Sequence, residues 1–188
     1  ERIVMSDSTR TLGLDGRPRK ITFVLDITEQ KRQERELRTS EDRLMRIFET
    51  APIGICITSP SGNFEVVNDA YSQMYGYRKE ELIGQPFTKI VPPSQVAHWN
   101  TVHDKFIAGQ TETRGEFTVR HKNGHDMIVL AESTRITGSD GQPRKVTFVL
   151  DITDRKTTEI QMAQNLEETR ATQEAMRATQ EELQRSES

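Results

Sequence analysis

The chain has 188 residues, of which 33% are hydrophobic and 29% charged, and its formal net charge is −3. Both signs are interspersed, so neither a nucleic-acid surface nor an anionic-membrane surface is expected. No apolar run is long enough to insert into or span a bilayer, and the one cysteine, Cys56, allows no intramolecular disulfide, which fits a reducing, cytoplasmic setting.

Residues 1–28 read as two strands turning at Asp15-Gly16, with Ile21, Phe23, Leu25 and Ile27 alternating in period two. From residue 29 the chemistry changes. The stretch 29–49 lacks Gly and Pro and carries Leu37, Leu44 and Phe48 on one narrow apolar seam, which predicts a helix ended by Pro52. A strand over 53–58, a turn at Pro60-Ser61-Gly62-Asn63 and a strand over 64–67 follow. Short helical pieces over 68–90 are broken at Gly76 and Gly84. Residues 94–107 form an amphipathic helix with Val96, Trp99, His103 and Phe106 at spacings of three and four. Three strands near 113–121, 126–136 and 144–152 close the segment, joined at Asn123-Gly124 and Asp140-Gly141. The order predicts an α+β fold, an antiparallel sheet with helices on one side.

The last stretch, 154–188, reads as one long helix. Its seam is Met162, Leu166, Thr169, Gln173, Met176, Gln180 and Leu183, and the heptad ATQEAMR is followed by ATQEELQ. A helix this polar is stabilised mainly by burying its seam, so a parallel coiled coil joining two copies of the chain is expected. The alternative is a single solvated helix.

The chain also repeats itself. Residues 8–30 and 133–155 align at an offset of 125 with 16 of 23 positions identical. That period exceeds the roughly 20–50 residues of solenoid repeats and matches a small domain plus linker. The expected organisation is the closing hairpin of a preceding domain over 1–28, a connector helix over 29–49, a complete domain over 50–153 and an exit helix over 154–188.

No enzyme constellation is present. There is no glycine-rich phosphate loop followed by Lys-Ser/Thr, and no Ser or Cys nucleophile has a base beside it. His121 and His125 flank a turn without a third ligand, so no metal site is expected. A chain without a catalytic site of its own is the reading that remains.

The middle segment resembles a PAS domain of the S-box type. The resemblance is carried by Val67-Asn68-x-Ala70-Tyr71, Gly76-Tyr77 and Glu81-Leu82-Ile83-Gly84-Gln85, and by the closing Asp151-Ile152-Thr153. Asp26-Ile27-Thr28 repeats that ending. The resemblance implies a five-stranded sheet in order 2-1-5-4-3 and a cavity between sheet and helices. Ile55, Trp99, His103, Phe106, Phe117 and Val149 are the expected lining. It further implies that Asp151, Ile152, Thr153 and Asp154 relay a signal into the exit helix, with Thr153 and Asp154 as N-cap candidates. Leu37, Leu44, Phe48, Met162, Leu166, Met176 and Leu183 would form the dimer seam.

The implied function is a sensor and relay module of a multidomain signalling protein. Its expected partners are a second copy, adjacent PAS domains and an effector such as a histidine kinase. Two alternatives stand beside it. The run His103-Asp104-Lys105-Phe106-Ile107 is similar to that bearing the axial ligand in haem-binding PAS sensors, which would make His103 a haem ligand of a gas sensor. The chain would otherwise be a structural spacer without ligand. No cysteine lies in 72–90, the helical region that bonds flavin in the photosensory subclass, so only non-covalent flavin enters as an option.

Overall fold

The computed structural model describes residues 2–186 apart from Gly13 and Gly16, with side chains described up to Arg177 apart from Ala175. The chain divides into two compact units, Glu1–Glu49 and Thr50–Ser188.

In the first unit, β1 (Val4–Leu12) and β2 (Pro18–Asp26) form an antiparallel hairpin. Period-two alternation makes the strands, but among the described residues of the unit neither face is covered, and Val4, Met5, Phe23, Val24 and Leu25 are exposed. Helix α1 (Thr28–Thr50) follows and buries none of its residues. Leu37 and Leu44 are exposed and Phe48 is half-buried. Pairs such as Glu29–Arg32 and Lys31–Glu34 lie along its surface, worth a few tenths of a kcal/mol each.

The second unit begins with β3 (Gly54–Thr58) and β4 (Phe64–Val67), then α2 (Asp69–Tyr75) and α3 (Lys79–Leu82). Two 3-10 turns, Phe87–Ile90 and Pro93–Gln95, precede α4 (Val96–Ile107). The amphipathic helix therefore starts two residues later than its periodicity implied, because Pro93 opens a tighter turn first. Strands β5 (Arg114–Arg120), β6 (Asp126–Thr137) and β7 (Pro143–Asp151) form a meander, and α5 (Thr153–Ser186) leaves it. The sheet order is β4-β3-β7-β6-β5, antiparallel throughout. Counting only this unit's strands from one, that is 2-1-5-4-3.

The core lies between sheet and helices. Phe64, Tyr71, Tyr75, Leu82 and Val129 are almost wholly buried in it. The Tyr71 ring meets Phe64 edge-on at 5.7 Å and Tyr75 at 4.7 Å. Asn68 fixes how α2 meets β3. It is fully buried; its Oδ1 accepts from the N–H groups of Ile55 and Tyr71, and its Nδ2 donates to the Ile53 carbonyl. One side chain thus caps a helix and ends a strand. Gly76 closes α2 at φ 72, a left-handed turn that glycine adopts without steric cost.

The repeat extends to backbone pairing. Every pair in the β1–β2 register, from Val4↔Asp26 to Leu12↔Pro18, recurs 125 residues on, from Val129↔Asp151 to Thr137↔Pro143. Along α5, Met162, Leu166 and Met176 are exposed; the Leu183 side chain lies outside the described residues.

Candidate functional site

A cavity of about 80 Å³ lies between the sheet and α4. Trp99, His103, Phe117 and Val149 line it; Ile55 and Phe106 do not. Ile55 pairs with Phe148 on the opposite face of the sheet, and period two brings its neighbour Cys56 to the wall instead. Phe106 is buried, but it belongs to an outer groove with Gly109 and Arg135.

Several polar groups on the wall carry no motif. Thr58 and Lys145 face each other across the β3–β7 ladder, as do Cys56 and Thr147, and all four line the cavity. Lys145 is 7% exposed. Burial away from water pushes its ammonium pKa down to about 8. Burial likewise pushes the Cys56 thiol up to about 11 and raises the Tyr71 and Tyr75 phenols, so these groups are neutral near pH 7 and the thiol is a poor nucleophile. Period two read backward from Val149 leads through Thr147 to Lys145, which is the signal that could have found the lysine.

His103 is buried, with its ring stacked on Phe87 at 5.1 Å. Its Nε2 lies 3.3 Å from the Pro60 carbonyl oxygen. A carbonyl only accepts, so Nε2 carries the proton and donates. Burial, and then the charge of Lys145, lower its pKa. An axial haem ligand must offer a nitrogen lone pair to iron, whereas Nε2 is committed to Pro60. The roughly 300–1,000 Å³ of small-molecule pockets also far exceeds this cavity. The residues present do not fit haem, and the volume does not fit a flavin ring.

The exit from the sheet is built as a hydrogen-bonded joint. Asp151 Oδ1 accepts from Thr153 Oγ1 at 2.6 Å and from Thr153 N at 2.9 Å. Thr153 Oγ1 in turn accepts from Ile128 N at 3.0 Å. Thr153 is already the first residue of α5. It is therefore not an N-cap: Asp151 supplies the capping carboxylate, and the threonine hydroxyl ties the helix start back to β6. Ile152 is buried beneath this joint and Asp154 stands in the first turn. From β5, Glu116 reaches Arg155 at 3.3 Å and Lys156 at 2.8 Å, and its neighbour Phe117 is a cavity residue. The same joint occurs in the first unit, where Asp26 Oδ1 accepts from Thr28 Oγ1 at 2.6 Å and Thr28 Oγ1 accepts from Ile3 N at 2.8 Å.

Comparison with known proteins gives the family. PAS domain sequences match residues 52–154. Sensor protein FixL of Bradyrhizobium diazoefficiens is 26% identical over 145 residues, 73% of this chain and 28% of that protein. The probable diguanylate cyclase DgcE of Escherichia coli is 26% identical over 129 residues, 68% of this chain and 12% of that protein. The chain thus spans less than a third of either relative. Among solved structures, a PAS domain from Colwellia psychrerythraea is 25% identical with a TM-score of 0.54, covering 60% of this chain and 97% of that one. The PAS domain of an HTR-like protein from Haloarcula marismortui shares the fold at 22% identity and a TM-score of 0.54, covering 65% and 99%. With a five-stranded antiparallel sheet, helices on one face and a family match across the whole of it, the chain belongs to the PAS domain family, a regulatory sensor module of signalling proteins.

Proposed function

We propose that the chain is a cytoplasmic sensor and relay module that works as a parallel homodimer. A signal enters through α1 from a preceding PAS domain, or from a ligand in the cavity. It leaves through α5 to an effector such as a histidine kinase or a cyclase. Residues 2–28 are then the closing hairpin of that preceding domain, and the seams of α1 and α5 pair with their counterparts in the second copy.

The observation that carries this reading is the Asp151–Thr153–Ile128 joint, built once at each sheet-to-helix exit with the same atoms. Such a joint transmits a tilt of β6 or β7 directly to a helix start. Glu116 adds a second line from the cavity wall to the first turn of α5. Support from the seams is their exposure: Leu37, Leu44, Met162, Leu166 and Met176 stand in water in the isolated chain, an arrangement that pairing would relieve.

Light scattering on the purified chain at tens of micromolar tests the dimer. The expected mass is that of two chains, and truncation after residue 156 is expected to weaken association. A monomer at that concentration refutes the reading. The rival reading, a spacer that only holds two chains in register, predicts that Thr153→Val leaves downstream output unchanged. The relay predicts altered output with the dimer intact.

A further inference from the structure

Lys145 makes one long polar contact, 3.5 Å to Thr113 Oγ1, and its ammonium lies 4.8 Å above the Phe106 ring. Neither carries a negative charge. Among the described residues, no Asp or Glu lines the cavity and Lys145 forms no ion pair. An ammonium withdrawn from water without a counter-ion is costly, and folded proteins normally pair it. Directly across the ladder, Thr58 Oγ1 is shut off from solvent and has no hydrogen-bond partner. Orphaned buried hydroxyls are uncommon, and each calls for an explanation. One cationic side chain and one hydroxyl able to donate therefore stand together on the wall of one small cavity.

We propose that this cavity binds a small monocarboxylate, with Lys145 as its counter-ion and Thr58 as a hydroxyl donor to it. A carboxylate suits both groups, since it offers a full negative charge to the ammonium and acceptor lone pairs to the hydroxyl. The volume limits its size. A space of about 80 Å³ is small, which suits a carboxylate group with a short alkyl chain. Part of the remaining wall is apolar, including Ile90, Val129 and Val149, and suits a short alkyl tail. A cation would meet the lysine's charge, and a larger polyanion would exceed the space.

Access and repetition support the same site. Thr113 and Ser133 belong both to the cavity and to the outer groove, where Arg114 and Arg135 stand beside Glu112 and Glu132. The groove therefore does not repel an anion by excess negative charge. At the repeat offset, Lys20, Thr22 and Ser8 stand where Lys145, Thr147 and Ser133 stand here. The Ser8–Thr22 hydroxyls lie 3.0 Å apart and the Ser133–Thr147 hydroxyls 3.1 Å. The lysine and this hydroxyl pair are thus present in both copies, although neighbouring positions differ.

The test is calorimetric titration of the 188-residue chain with sodium acetate, propionate and butyrate at fixed ionic strength. Acetamide and propionamide serve as neutral isosteres. The expected result is saturable binding of one acetate or propionate per chain, with the amides at least about tenfold weaker. Lys145→Met is expected to lower the affinity by at least the same factor, and Thr58→Val by about threefold or more. No saturable heat from any of the three acids, amides that bind as tightly, or full affinity in a folded Lys145→Met would each overturn the proposal. Should that variant fail to fold, the Lys145 Cε resonance of the unaltered chain decides: it must move on saturation with propionate, and a stationary resonance overturns the site. The inference rests on the sensor reading above, but the two fail separately. A monomeric chain that binds propionate through Lys145 removes the dimer relay and upholds the site. A dimer that binds none of the acids removes the site and leaves the relay.

Discussion

Replacing Lys145 with methionine is expected to stabilise the domain near neutral pH, and by an amount that depends on pH. A pKa held at about 8 in place of the ordinary 10.5 penalises the charged form in the folded state by about 3 kcal/mol, at about 1.4 kcal/mol per pH unit. The sign follows from proton counting. Between pH 8 and 10.5 the unfolded chain holds the proton while the folded chain has released it, so stability rises with pH across that window. Below about pH 8 both states are charged and the whole cost is present. Methionine has nearly the same length and no charge to desolvate. The stability difference, Met variant minus parent, should therefore shrink by about 2.5 kcal/mol between pH 7 and pH 10. Urea melts of both proteins at the two pH values measure it, with the slopes compared to confirm that the unfolded states are alike. Cys56, the buried tyrosines and His103 are common to both proteins, so their intrinsic titration cancels in the difference. A gap that changes by less than about 0.5 kcal/mol across this range would refute the claim that Lys145 is held desolvated without a partner.

Asn68→Ala removes a helix cap and leaves the Ile55 and Tyr71 amides without their buried acceptor; a loss of about 3 kcal/mol is expected in urea melts, and Asn68→Asp should restore part of it by keeping the acceptor. Gly76→Ala puts a Cβ against the His121 ring at a positive φ. It should cost about 1–2 kcal/mol, and combining it with His121→Ala should recover the steric share in a double-mutant cycle. Glu81 accepts two hydrogen bonds from Lys122 Nζ and one from Arg78 N, and the lysine's hydrogen bond leads in holding its carboxyl down to about 2. Carboxyl NMR should show that midpoint, and Lys122→Ala should move it back up toward the ordinary range. Stability from this pairing is present above the unfolded pKa and is lost as pH falls toward 2.

The elements were legible where pattern and punctuation agreed. Asn123-Gly124 and Asp140-Gly141 announced the meander, and period two with the repeat announced β7. The cavity was legible only in part. Trp99 and His103 follow from helical spacing, and Val149 from strand alternation. The sequence does not place Ile55, because an apolar run such as Ile53-Gly54-Ile55-Cys56-Ile57 does not say which face is inward. That face is set by pairing with β7 across Cys56↔Thr147. Lys145 carries no such signal of its own, because a lysine in a strand ordinarily faces solvent. Its burial is a tertiary fact, imposed by α4 and Thr113. The joint at Asp151 and Thr153 was visible as a motif, but its division of labour was not. Both residues can cap, and only the return of the Thr153 hydroxyl to Ile128 decides between them.

The lone thiol of the chain stands in the cavity wall, 3% exposed and with its pKa pushed up to about 11. At pH 8 about one in a thousand such groups is ionised, so a thiol reagent acts only when the sheet and α4 part. The rate of alkylation is then a clock for that opening, and no other cysteine has to be removed before it can be read. An occupant of the cavity should slow the clock, and a disturbance at either sheet-to-helix joint should change its pace. The domain thus carries its own reporter of whether events in the pocket and events at the helix are coupled.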